Sequence, residues 1–449
     1  MKNLFLLGSF FFGGIAYGQQ YITQVSYPDD IVKTIVREYN YPSTISYVET
    51  LSDHYFSYAD ASMTVVSVSI GTDVSVSDFV IYGDYVYICG VEHSGTTKGI
   101  WGWFRANDLT SGTLTLNTWD TYECANYNLD SLYSLVAYYT LRDSVYIALV
   151  GSASDGVSRR ACMMEIVGVE GNTNGWRYRL GISSNEGEHL EHICLTDNLV
   201  IGAGVTSDEC CIETYRVHWR WNMFAAGGPQ DVINAFNGSI SHYHDHAWCN
   251  FAMTHTGGDT IAVATFYGTA SAVKEEVMLN TYNMYDVALG LYTTSDYSAL
   301  LIPSSNLSKC TIQGLRYSGH TKTYSLLLSG DFPACGIGSH YVEFDPNSAF
   351  ATVSSLKDVS LSSMDTYNSG TSFVSLGSDM VTPSNAIFHT QPFLSSGLCL
   401  QKNTIYVQDD IFARKHRENP YTVCVDTFDC SKRICENMKE LENKTVCSD

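Results

Sequence analysis

Between Asp78 and Trp119 the chain swings between short apolar runs and turn residues in a way that predicts four strands in succession. Asp78 to Tyr82 is largely apolar, Gly83 and Asp84 interrupt it, and Tyr85 to Cys89 resumes it. A polar loop then leads to Gly99–Phe104, and an Asn-Asp…Ser-Gly stretch leads to an alternating run from Thr113 to Trp119. β-Branched and aromatic side chains suit a pleated surface, while Gly and Asp accept the dihedrals of tight turns. The four runs therefore predict one antiparallel meander.

The unit recurs. SLVAYYT, DSVYIALVG, ACMMEIVGV and GWRYRLGI span Ser134 to Ile182, and HICL, NLVIGAGV and CCIETYRVHW run from His192 toward Phe236. Two further sets occupy Cys249 to Thr294 and Cys310 to Leu356. The second runs are variations on one theme: VYICG, VYIALVG, LVIGAG, IAVATF and YSLLLSG. Their spacing of about 50 to 65 residues is at or a little above the range in which sheet repeats imply propellers or solenoids. From Ser362 to Gln391, and again from Gly397 to Asp426, three runs occur without an evident fourth. Early strands around His54 to Ile70 would complete the last blade and hide both open sheet edges. The pattern thus predicts an all-β chain folded as a β-propeller of seven four-stranded blades, the last closed by N-terminal strands, with six blades the close alternative. A pair of β-sandwiches also accommodates short alternating strands.

The first residues change the picture of where this happens. MKNLFLLGSFFFGGIAYGQQ carries Lys2, an apolar core from Leu4 to Ile15, and small residues at Ala16 and Gly18, the order of a secretory signal peptide cleaved after Gly18. The apolar run is shorter than the roughly 20 residues that span a bilayer, and no later stretch is long enough, so no membrane span is expected. The expected organisation is a signal peptide at 1–18, the propeller at 19–427 and a short Cys-rich tail at 428–449, in a secreted or cell-envelope-exposed protein.

Composition supports a packed chain: of 449 residues, 45% are hydrophobic, 16% charged and 13% aromatic, so enough apolar surface is present to offset the entropy of ordering. The formal charge of −22 argues against a nucleic-acid partner, which needs clustered Lys and Arg to neutralise phosphates. Fourteen Cys in an exported chain predict disulfides, with Cys430, Cys435 and Cys447 stapling the tail. Cys194, Cys249, Cys310 and Cys399 fall in first strands, and Cys162, Cys211, Cys335 and Cys424 at or near third strands. First and third strands lie about 9.6 Å apart, beyond the reach of a disulfide. Pairing within a blade therefore needs a loop Cys, and otherwise several are buried thiols.

Up-and-down connectivity puts the starts of all first strands, and the loops between second and third strands, at one end of a propeller. That end gathers Asp130, Glu188, His189, Glu191 and His192, together with Glu92, His93, Asp155, Arg159, Asp208, Asp331 and Asp409. Any ligand is expected there. The sharpest local signal is His242-Tyr243-His244-Asp245-His246: in an extended segment residues two apart share a face, which would align three imidazoles for a divalent metal, with His189 or His192 as a further donor. The alternative is a polar loop bonded to backbone and water. No H-E-x-x-H, G-x-S-x-G or paired C-x-x-C occurs, so peptidase, serine-hydrolase and zinc-knuckle chemistries have no motif here. The seven Trp either stack on sugars or fill the space between blades, the commoner role.

Three functions fit. The leading one is a non-catalytic propeller that binds an extracellular glycan or protein through its loop-rich face. A carbohydrate-active lyase or hydrolase using the His-rich mouth is the second, and a structural subunit of a surface assembly the third, since propellers host all of these.

Overall fold

The computed structural model describes residues 21–40, 43–60, 64–95, 97–120, 128–139, 145–157, 159–167, 175–180, 189–197, 199–207, 214–215, 218–222, 251–267, 276–283, 298–301, 310–319, 321–332, 336–345, 350–357, 359–366, 373–379, 386–391 and 399–408. Among them β1 (Tyr21–Ser26) is followed by β2 (Ile31–Glu38), β3 (Thr44–Thr50), β4 (His54–Ala59) and β5 (Val65–Ser69), which pair in that order as one antiparallel sheet. The second sheet is β6 (Val74–Tyr82), β7 (Tyr85–Glu92), β8 (Lys98–Arg105) and β9 (Asn117–Asp120), with one turn of helix, α1 (Ala106–Thr110), before the last strand. The third is β10 (Asn128–Tyr139), β11 (Val145–Ser154), β12 (Arg159–Val167) and β13 (Gly175–Leu180). In the fourth, β14 (His189–Leu195) pairs with β15 (Leu199–Ser207), which also pairs with β16 (Thr214–Tyr215) and β17 (His218–Asn222).

The fifth set is β18 (Phe251–Gly257), β19 (Thr260–Tyr267), β20 (Glu276–Asn283) and β21 (Ser298–Leu301), and the sixth is β22 (Thr311–Ser318), β23 (Thr323–Phe332), β24 (Gly336–Phe344) and β25 (Phe350–Lys357). The chain continues through β26 (Val359–Thr366), β27 (Phe373–Asp379) and β28 (Ala386–Gln391) to β29 (Cys399–Gln408). Two of these pairings depart from the sequence expectation. The fourth strand beside β26, β27 and β28 is β1, Tyr21 opposite Gln391 and Ser26 opposite Ala386. The strands at His54–Ile70 instead complete the sheet that β2 and β3 begin. Likewise GLCLQKN and TIYVQDDI are one strand, β29, whose first half pairs with β25 and second half with β21, joining the outer edges of the fifth and sixth sets.

The all-β class is therefore as expected, and the reason lies in how the runs are buried. In β7, Val86 and Ile88 pack with Tyr47, Phe56 and Phe79 on the side of the first sheet, while Tyr87 and Cys89 pack with Leu132 and Leu149 on the side of the third. In β11, Ile147 and Leu149 face the second sheet and Ala148 and Val150 face Leu190 and Val200 of the fourth. The second and third sheets are thus covered on both faces by their neighbours in sequence, which is why their second strands read as continuous apolar runs rather than an alternation. In a two-sheet sandwich one face of each sheet would be solvated and polar. The first strands touch in order, β6 against β2, β10 against β6, β14 against β10, β18 against β14, β22 against β18 and β26 against β22, and β26 also lies against β2. Side-by-side four-stranded meanders meeting through their first strands are the arrangement of propeller blades.

A second repeated device is a β-bulge near the start of the first strand, at Ile31/Lys33, Val76/Asp78, Leu129/Ser131, Leu190/His192, Ile312/Gly314 and Leu361/Ser363. The extra residue bends the strand and turns it toward its own second strand. At Gly90, opposite Val76, an added Cβ would lie 2.0 Å from the Ser75 carbonyl oxygen. At Gly151, opposite Leu132, it would lie 2.0 Å from that of Ser131. The glycine closing VYICG and VYIALVG is there because the bulged backbone comes too close for any side chain.

Cys89, Cys162, Cys194 and Cys310 are buried thiols in the core, and among the described residues no disulfide is formed. Burial pushes the Cys89 thiol up and that of Cys194 up to about 12, so both are held protonated and unreactive. Trp101, 2% exposed, lies in the cluster between the second and third sheets, filling space between sheets as its size favours. No helix among the described residues is long and apolar enough to cross a membrane.

Candidate binding face

In the first three sheets the first strands begin at one end, the leading end, and two backbone contacts tie the turns between second and third strands to it. The Leu51 N–H, in the β3–β4 turn, donates to the Asp30 carbonyl just before β2 (3.0 Å), and the His93 N–H, in the β7–β8 turn, donates to the Asp73 carbonyl just before β6 (2.8 Å). The expected candidates fall here. Glu92 ends β7, accepts from Ser94 Oγ (2.7 Å) and pairs with Lys98 Nζ (3.0 Å), bracing the turn that exposes His93. Asp155 is exposed in the β11–β12 turn, its Oδ1 accepting from the Val157 N–H (2.8 Å). Arg159 opens β12 and donates through Nε and Nη2 to Asp130 Oδ2, both at 2.8 Å, while Asp130 Oδ1 accepts from Ser152 Oγ. Asp130 is the extra residue of its bulge, which is what frees it to meet Arg159.

The histidines of the fourth sheet do not act together. His189 bonds Glu191 Oε1 through Nε2 (2.7 Å) and sits 5.5 Å, ring to ring, from Tyr133 of the third sheet. His192 meets the ring of Phe251 in the fifth set at 4.5 Å. Each imidazole packs on a different neighbour, on either side of the bulge at Glu191. Asp331 lies in β23 opposite Ile337. Glu188, Asp208, Asp409, His242, His244 and His246 lie outside the described residues, and among those described no group of three or more His, Cys, Asp or Glu could hold a metal ion.

Sequence reasoning missed how the bulge of β6 is held. His54 Nδ1 donates to the Val74 carbonyl (2.6 Å), Ser75 Oγ to Glu49 Oε2 (2.7 Å), and the Val76 N–H to Tyr47 Oη (3.1 Å), which itself donates to Glu49 (2.9 Å). Lys33 Nζ donates to the carbonyls of Val76 and Ser77 at 3.0 and 3.1 Å. Arg37 donates through Nη2 to Asp78 Oδ1 (2.6 Å) and through Nε to the Phe79 carbonyl (3.1 Å), and Asp78 Oδ2 accepts from Ser134 Oγ in the third sheet (2.6 Å). Backbone groups that the bulge removes from the ladder are therefore satisfied by side chains of the adjacent sheet, as burial requires. Burial holds the Lys33 ammonium below its usual range, against the opposing pull of Glu49 and Asp78. The signal was present as Lys33, Ile35 and Arg37, two cations sharing a strand face with a buried Ile.

The face also has an apolar component. Among the described residues the large hydrophobic side chains left in solvent are Val32 (58% exposed), Leu51 (67%) and Val157 (80%). Val32 is the extra residue of the β2 bulge, Leu51 lies in the β3–β4 turn and Val157 in the β11–β12 turn, so all three stand at the leading end.

These features define a class: an all-β protein of repeated propeller-type sheets with a mixed apolar and charged loop face. No protein-family model matches the chain, and no curated protein matches it in sequence. Solved structures that resemble it include the acylaminoacyl peptidase of Pyrococcus horikoshii (7% identity, TM-score 0.44, over 82% of this chain and 52% of the peptidase). The β-propeller domain of the trilobed protease from Pyrococcus furiosus matches at 6% identity and TM-score 0.43, over 81% of this chain and 96% of that domain. A thermostable family-43 glycoside hydrolase matches at 9% identity and TM-score 0.32, over 54% of this chain and 86% of the hydrolase. The chain spans about half the length of the peptidase. Resemblance at this level says nothing of what the chain binds or catalyses.

Proposed function

We propose that this is an exported binding module: a seven-bladed propeller, with β1 as the closing strand of its last blade, that recognises an extracellular protein partner through the leading face. One observation carries the reading. Val32, Leu51 and Val157 stand in solvent at a single end, although burying each would be worth about 1.5–3 kcal/mol. Contiguous exposed apolar surface marks interaction sites, and a partner seated on these turns would take all three side chains out of water. Among the described residues the exposed large apolar side chains are aliphatic rather than aromatic, which favours a protein over a glycan, since sugars stack on exposed rings, whereas Trp101 is buried and Trp103 packs edge-on against Tyr85 at 5.4 Å. Export rests on the charged, apolar and small-residue order of residues 1–18.

The test is a screen of the purified chain against arrayed extracellular proteins and against a glycan array. A protein hit lost in the Val32→Ser/Leu51→Ser/Val157→Ser variant, with unchanged circular dichroism, supports the proposal. Hits confined to the glycan array, or protein binding indifferent to the triple variant, would sink it.

A further inference from the structure

We propose further that the segment this face takes is a cationic polypeptide strand or helix carrying aliphatic residues between its Lys or Arg. The inference rests on the binding role above and adds the chemistry of the partner. Two cations at the leading end of the first three sheets are already engaged: Lys98 by Glu92 at 3.0 Å and Arg159 by Asp130 at 2.8 Å. Lys33 lies in the seam with its ammonium on two carbonyls. Beyond these, the charged side chains described there are those of Asp29, Asp30, Asp53, Asp73 and Asp155, every one negative, while the side chain of Arg160, second residue of β12, lies outside the described residues.

These carboxylates are interleaved with the exposed aliphatics rather than set apart from them. Asp30 precedes Val32 by two residues and its carbonyl holds the Leu51 N–H; Asp155 precedes Val157 by two and its carboxylate holds that residue's N–H. Val157 thus projects beside a carboxylate fixed in its own turn, and the backbone bond from Leu51 to Asp30 holds Leu51 against the segment that carries Asp29, Asp30 and Val32. A partner that buries Leu51 and Val157 must bring its own charges close to Asp30 and Asp155. Opposite charges at such spacing raise association rates and fix register, whereas like charges are rejected. Polyanions are disfavoured on the same ground, nucleic acids and acidic lipid surfaces among them.

The probe is a short synthetic peptide alternating Lys and Leu, compared by fluorescence anisotropy on the full chain with its counterpart alternating Glu and Leu. We expect the Lys peptide to bind and the Glu peptide not to. Asp30→Asn/Asp155→Asn should weaken binding about tenfold, as should salt of about 1 M, where the screening length falls to about 3 Å. Asp84→Asn/Asp108→Asn removes equal charge at the opposite end, in the β6–β7 turn and α1, and should leave binding unchanged. Equal loss in both double variants would reveal only general attraction to an acidic chain and overturn the inference. Equal binding of the Glu peptide, lost in the Leu51→Ser variant, would overturn the cation preference while leaving the binding face standing.

Discussion

Gly90 and Gly151 show how one residue type, repeated in register, can encode a shape. Each faces a bulge on its first strand, and each would place a Cβ 2.0 Å from a backbone oxygen. Gly90→Ala or Gly151→Ala is expected to cost about 3 kcal/mol, at the upper end of overpacking, because the obstacle is backbone rather than a side chain that can rotate away. Gly319→Ala, with open space around it, should shift stability by no more than about 1 kcal/mol in either direction. Urea denaturation of the three variants measures the difference, and equal midpoints would contradict the steric account. The repeated glycine was visible in the sequence, but its cause was not, since a bulge leaves no residue-type signature of its own. The stitching by Lys33, Arg37, Tyr47 and Glu49 was hidden for a related reason: its partners are mostly main-chain atoms of another sheet.

Among the elements, the strands that were legible are those flanked by their own turns. The second strands from β7 to β23 stand out because both of their faces are buried, which gives long apolar runs. The strands that were misassigned pair across sequence. β1 meets β28, and β29 unites β21 with β25, pairings that no local pattern can indicate. At this scale we expect that removing β1 by starting the chain at Tyr27 lowers the melting temperature by several degrees, as loss of a few kcal/mol would in a large domain. Mutating only Gln19 and Gln20, just ahead of it, should have no such effect. An unchanged melting temperature on removing β1 would show that β26–β28 do not depend on it.

For the whole molecule, the buried tyrosines set a limit in alkali. Burial raises the phenols of Tyr47, Tyr324 and Tyr341 far above 10.0, and the thiols of Cys89 and Cys194 above 9.0. Since the unfolded chain gives up these protons first, the stability they contribute is complete below about pH 9 and is lost as pH climbs toward the folded-state values. Lys33 acts the other way, because its lowered value leaves the unfolded chain holding more protons until pH 10.5 is passed. One lysine against three phenols and two thiols leaves a net loss. The urea midpoint should fall between about pH 8 and pH 10.5, with a further rise in tyrosinate absorbance as far-ultraviolet circular dichroism collapses and the buried phenols are released. A midpoint that holds or rises over that interval would contradict this.

The pairing of β1 with β28 also carries a consequence in time. Ser26 emerges near the start of synthesis, and its partner Ala386 follows about 360 residues later. At 5–20 residues per second, that is a wait of roughly 20–70 s. Throughout it, the backbone donors and acceptors that β1 will offer to β28 have no native partner, and the chain carries a strand able to pair with whatever edge it meets first. A factor that shields this one strand during synthesis would therefore raise the yield of folded protein more than one acting on the later strands, most of whose partners lie within the next turn or two of the chain.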